Sequence, residues 1–266
     1  MESVRASLPK FKNPPVIEVV FGVQFKKLED LKAPHIGLLW QFIDKNTYPS
    51  FDLKPELTHR TESFGNQSSD AISAEMFNIP PLPRVLFINK DNHNLVQVQS
   101  DRFLQNWRKL GAEGKYPSYN RLFPEFLKSW SQYQTFVKKE NLGEILVDQY
   151  ELTYVNHIPV DVFHKEVSGI NEIFPSFNAM PCKFLPTPEN VEWRKTFKFP
   201  ENMGRLHASL KQVVNIQTQK QLYSFDLTAR GYASDLEMWF NNAHKWIVTG
   251  FDELTSEKIH DVWGKE

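Results

Sequence analysis

The hydrophobic patterns of this chain occur in the same order in both of its halves, and that order constrains the fold more than any single motif. Residues 16–25, VIEVVFGVQF, put Ile17, Val19, Phe21, Val23 and Phe25 on one side and Glu18, Gly22 and Gln24 on the other, as a half-buried strand does. Residues 28–45 carry Leu28, Leu31, Leu38, Leu39, Phe42 and Ile43 at helical spacing, with Pro34 starting or dividing the helix. A strand is expected near SAEMFNI, residues 73–79. A hairpin follows, VLFINK and LVQVQS, turning at Asp91-Asn92-His93-Asn94. After the loop LGAEGKYPS a helix is expected over about 119–140.

The second half begins with DQYELTYVNHI, where Tyr150, Leu152, Tyr154 and Ile158 alternate with Gln149, Glu151, Thr153 and His157. Residues 161–173 suggest a helix, and the Pro-rich FPSFNAMPCKFLPTP an irregular connection. VEWRKTFKF, RLHASLKQVV and QLYSFDLTA read as strands. Ser234 and Glu237 have capping-box spacing ahead of a helix with Leu236, Trp239, Phe240, Ala243, Trp246 and Ile247 on one side. The expected fold is α+β: two β-α-β-β-β-α units, residues 1–145 and 146–266, sharing one antiparallel sheet with helices on one face. A TATA-binding-protein-like or helix-grip arrangement is the nearest architectural analogy, and such an analogy carries no function. With 21 Phe and 7 Trp, the core should be rich in large rings.

If helices cover the apolar side of the sheet, the polar side must meet solvent, a groove or a partner. Glu18, Gln24, Gln97, Gln99, Glu151, His157, Arg205, His207, Ser209, Lys211, Ser224 and Asp226 belong to it. An ordinary wet surface accounts for them. Neutral amides and histidines, which both donate and accept, also suit a groove that orients a ligand or a partner strand. The segment DRFLQNWRK allows two readings in the same way. Asp101 could cap a turn with Phe103, Leu104 and Trp107 buried. Alternatively Arg102, Asn106 and Arg108, with Trp107, Tyr116 and Tyr119, could form a basic aromatic patch for phosphate or a nucleobase.

Catalytic signatures are sparse. The sequence contains no P-loop, G-x-G-x-x-G, G-x-S-x-G or H-E-x-x-H, so neither a cofactor nor a metal site is expected. Asp101 with Glu113-Gly114-Lys115 matches a nuclease-like acid and E-x-K, but a glycine loop is a poor platform for metal chemistry. A formal net charge of -1 argues against a protein devoted to phosphate backbones. The single Cys182 permits no internal disulfide, and no apolar run is long enough to span a membrane, so a cytoplasmic location without membrane contact is expected.

NPPVIEVVFGVQF, LVQVQSDRFLQNWRK, YPSY and YELTYVNHI together resemble a sporadically distributed family of prokaryotic proteins of about this length and no assigned function. The resemblance covers the first 160 residues with specific motifs and is weaker beyond them. It implies a bacterial or archaeal protein, and its patchy distribution points to mobile-element or phage-defence loci. It supplies no catalytic residues. It does direct attention to Gln97, Gln99, Asp101, Arg102, Asn106, Trp107, Arg108, Tyr119, Asn156 and His157. The expectation is a noncatalytic binding or accessory protein that recognises a protein partner or small ligand through the polar sheet face. Nucleic-acid binding is the first alternative. An enzyme assembled from dispersed residues such as Glu151, His157, His207 and Asp226 is the second.

Overall fold

Phe21 and Phe25 point to the same side of the first strand, and rings from two helices close over them. Phe126 stacks on Phe21 at a centroid separation of 5.1 Å, and Phe240 lies 5.8 Å from the same ring. In this computed structural model, residues 8–62, 64, 82–111, 114–162, 170–177, 184, 190–215 and 218–266 are described. The expected strand at 73–79, most of the expected helix at 161–173, Glu113 and Cys182 lie outside them.

The strands are β1 (Val16–Phe25), β2 (Ser50–Lys54), β3 (Arg84–Ile88), β4 (Asn94–Gln99), β5 (Arg102–Arg108), β6 (Val147–Pro159), β7 (Glu192–Lys198), β8 (Arg205–Val214) and β9 (Gln221–Gly231). They form one nine-stranded antiparallel sheet in the order β2-β3-β4-β5-β1-β6-β9-β8-β7. The α+β class expected from the sequence is the one observed. Each half places its first strand at the centre of the sheet and its last strand next to it, with the others stepping outward.

The helices α1 (Ala33–Phe42), α2 (Tyr119–Lys139), α3 (Ile170–Ile173), α4 (Leu236–Leu254) and α5 (Glu257–Trp263) join the apolar side. α2 buries Phe126, Trp130 and Tyr133, and Trp130 and Tyr133 contact Phe103 of β5. α4 brings Phe240 against Tyr150 of β6. α5, through Trp263, packs on Phe251 of α4.

Several expectations need correction. Residues 102–108 form a strand, β5, that pairs with both β4 and β1, where a capped turn was the expected alternative. Ser100 and Asp101 close this hairpin and neither has a positive φ, so the glycine or asparagine that usually marks a tight hairpin is missing. The edge strand β2 was not anticipated: Phe51 and Leu53 remain half exposed and give little burial signal. At Ile17 the β1–β6 register shifts, so this residue leaves the apolar row that begins at Val19. The N-cap of α4 is Asp235, whose carboxylate accepts from Met238 N at 2.9 Å, so Ser234 is not the cap.

The register aligns side chains into ranks that run across the strands on the polar side. One rank is Gln99, Arg102, Gln24 and Gln149 on β4, β5, β1 and β6. The next is Gln97, Leu104, Gly22, Glu151, Arg230 and Arg205. Below it lie Asn106, Val20, Thr153, Thr228 and His207.

Candidate functional site

Between the start of α2, the middle of α4 and the segment preceding β1 lies a cleft of about 910 Å³. Tyr154 and Asn156 of β6 and Leu227 of β9 line its sheet side. The Tyr116 hydroxyl is 2.9 Å from that of Tyr154, which is 3.1 Å from Nδ1 of His244. Tyr119 lies flat on the His244 ring, with centroids 4.0 Å apart and planes within 3°, and its hydroxyl donates to Asn241 Oδ1 at 3.1 Å.

Burial pushes His244 down to about 4 and raises the Tyr154, Tyr116 and Tyr119 hydroxyls above the ordinary phenol range. At neutral pH this network is therefore uncharged. A neutral imidazole can accept the Tyr154 proton at Nδ1 while keeping its proton on Nε2.

The rim has a different character. Lys10, Lys12, Lys109 and Lys115 line it, and none of them makes an ion pair among the described residues. Glu266 is the sole acidic side chain among the described lining residues. α2 begins at the same rim without a side-chain cap and without an acidic residue in its first turn. Its N-cap Ser118 has φ 84 and ψ 155, a backbone region that is nearly glycine's alone and costs about 1–3 kcal/mol. Uncapped first-turn N–H groups favour negative charge.

The opposite face of the sheet is not the open wet surface that its composition suggested. Residues 57–62, a strap that follows β2, cross the strands in their spatial order, held by side chains of the first rank. Gln99 pairs with both polar groups of one residue: Leu57 N–H donates to its Oε1 at 2.9 Å, and its Nε2 donates to Leu57 O at 3.0 Å. Arg102 donates to Thr58 O at 3.2 Å, and Gln24 donates to Arg60 O at 3.1 Å. Gln149 donates to Arg60 O at 3.0 Å and accepts from Glu62 N at 2.8 Å.

Two strap side chains are anchored as well. His59 Nδ1 is 2.7 Å from Asp101 Oδ2, and Glu62 contacts both Arg205 and His207 of β8. Burial pushes the Glu62 carboxyl up, but hydrogen bonds from His207 and Arg205 outweigh it and hold it low.

The sequence candidates therefore separate. Gln99, Asp101, Arg102 and His207 bind the strap. Gln97 donates to Asn106 Oδ1 at 2.7 Å, and Asn106 donates to Glu18 at 2.6 Å, beside the strap. The basic aromatic patch is not formed. Arg102 and Asn106 face the strap side, while Trp107 faces the helices against Tyr116, and Arg108 donates to Asn92 O at 2.7 Å. Asn156 shares the helix side with Tyr154 rather than the face of His157, and donates to Phe225 O at 2.8 Å.

The dispersed enzyme set does not converge. Glu151 is held by Arg230 at 2.6 Å and His207 by Glu62, which leaves His157 beside Asp226. Burial raises the Asp226 carboxyl, against a hydrogen bond from Ser224 and the charges of His157 and Lys211. No group of His, Cys, Asp and Glu able to hold a metal occurs among the described residues, and no described helix is long and apolar enough to cross a membrane.

Of the cleft residues, Tyr119, Asn156 and His157 were among the candidates, and Tyr116 was named with the aromatic patch. Tyr154, Asn241 and His244 were not. One signal was available: His244 follows Phe240 by one helical turn, which puts a polar ring in the apolar stripe of α4. No family model and no curated protein matches the chain.

Proposed function

We propose that this chain is a noncatalytic binding protein that holds a small organic anion in the cleft between α2, α4 and β6. The observation that carries this reading is the contrast within the cleft. An uncharged interior of Tyr116, Tyr119, Tyr154 and His244 is joined to a rim of four lysines without ion-pair partners among the described residues. Flat rings and hydroxyls suit the body of an aromatic or unsaturated ligand, and the lysines with the α2 first turn suit its carboxylate, sulfonate or phosphate. The strained Ser118 backbone stands where that charge would sit. An accessory role in a mobile-element or phage-defence locus rests on the resemblance of LVQVQSDRFLQNWRK and YELTYVNHI alone.

Anilinonaphthalene sulfonate, an aromatic anion, provides the test. Its fluorescence should rise and saturate with the native chain, and the affinity should fall at least tenfold in Lys109→Gln/Lys115→Gln. Tyr119→Ala should also weaken it, while an uncharged anilinonaphthalene should bind both lysine forms equally. Sulfonate binding that is indifferent to the lysine pair would refute the reading.

A further inference from the structure

The strap is held in a way that loops seldom are. Side chains of β4, β5, β1 and β6 hydrogen-bond its backbone and ignore most of its side chains. A carboxamide that both accepts from and donates to one residue reads any peptide backbone, whatever its sequence. Gln24, Gln99 and Gln149 are 6%, 2% and 3% exposed, so these readers are set into the sheet, while Thr58, His59, Arg60 and Thr61 lie exposed above them. Leu57, half buried, gives the strap little apolar anchorage, and segments with few buried apolar contacts open most readily.

Some polar atoms around the strap have hydrogen-bonding capacity to spare. Arg102 Nε and Gln97 Oε1, in residues 9% and 6% exposed, have no hydrogen-bond partner among the described residues. Asp148 Oδ2 is likewise unpartnered, with His59 Nε2 at 3.5 Å outside hydrogen-bond geometry.

We propose that this rank of side chains is a recognition surface for an extended segment of a partner protein, now filled by the chain's own residues 57–62. The anchors define the partner chemistry. A cation or imidazole would sit between Asp101 and Asp148, and three residues later a carboxylate would meet Arg205 and His207, as His59 and Glu62 do. Apart from Gln24, whose Nε2 also lies 3.1 Å from His59 Nε2, the glutamines read only backbone, so the residues between the two anchors are free. The partner lies across the sheet rather than along an edge strand, so it adds no strand to the sheet.

The full-length chain carrying His59→Ala and Glu62→Ala loses both strap anchors and exposes the seat. A fluorescein-labelled peptide PELTHRTE should bind it in saturable fashion by anisotropy, at least tenfold more tightly than it binds the unaltered chain. Adding Gln99→Ala and Gln149→Ala should abolish that binding, and PELTARTA should not bind. No binding to a folded double variant, or equal binding to the unaltered chain, overturns the proposal. Amide exchange on the unaltered chain decides independently, including where the variant fails to fold. Leu57 and Glu62 should exchange at least a hundredfold faster than interior amides of β1 and β6. Equal protection makes the strap a fixed part of the fold and refutes the proposal.

Discussion

His244 provides the sharpest test of the cleft's electrostatics. Burial lowers its imidazole from the ordinary 6.5 to about 4, so between those values the unfolded chain binds a proton that the folded chain refuses. Stability therefore falls as the pH drops through 6.5 and levels off near 4, with the full contribution present above 6.5. Each tenfold change in proton affinity is worth about 1.4 kcal/mol, which places the loss at up to about 3 kcal/mol. His157 and His260, also lowered by burial, act in the same direction, while the raised carboxyls of Glu18 and Asp226 act against it. The quantity to read is thus the difference between the native chain and His244→Gln, which keeps an acceptor for Tyr154 and cannot titrate. Urea unfolding at steps from neutral pH down to 4 should show the two curves converging by about 2–3 kcal/mol. Parallel curves, or an imidazole that titrates near 6.5 by NMR, would refute the claim that the network is held neutral.

Other substitutions probe the frame around the sites. A Cβ on Gly231 would lie 2.0 Å from Met203 O and 2.5 Å from Gly204 Cα, with no flexible side chain to yield, so Gly231→Ala should cost about 3 kcal/mol in urea unfolding. Ser118→Gly should raise stability by about 1 kcal/mol in a thermal melt, since glycine removes the strain at φ 84 and loses part of the gain to unfolded-state entropy. Asp235→Ala removes the acceptor for Met238 N and should destabilise by about 1 kcal/mol, whereas Ser234→Ala should be near neutral.

Where structure follows from local periodicity, the sequence was legible. β1, β6, the β3–β4 hairpin, α2 and α4 each show an apolar face at the period of their own backbone, and each occurs where that period ends or turns. β5 was missed because its turn at Ser100-Asp101 carries no left-handed residue. It is buried on both faces, so it lacks the alternation that marks a one-sided strand. The strap was illegible for a different reason. Its hydrogen bonds use its backbone, so residues 57–62 bear no mark of them; the mark was on the other partner, in glutamines spaced along strand faces. Those glutamines were noticed, but sequence cannot show that the occupant of their groove is the same chain. The cleft depends on Tyr116, Tyr154 and His244 meeting across long separations, which no local pattern encodes.

Three of the four side chains of the first rank are glutamines, with Arg102 the charged exception, and this preference has an energetic logic. A buried charge stripped of its partner is costly, whereas an amide returned to water is satisfied at once. The roughly six hydrogen bonds onto the strap backbone are worth about 1 kcal/mol each, and ordering six residues costs about 1–2 kcal/mol each. The backbone bonds, about 6 kcal/mol together, therefore at best match the ordering cost of about 6–12 kcal/mol and cannot close the strap alone. Closure of the strap is then decided by its two side-chain anchors, His59 on Asp101 and Glu62 on Arg205 and His207. A segment balanced in this way can be displaced by any competitor that matches the backbone bonds and improves on one anchor, while the apolar core on the other face of the sheet remains undisturbed.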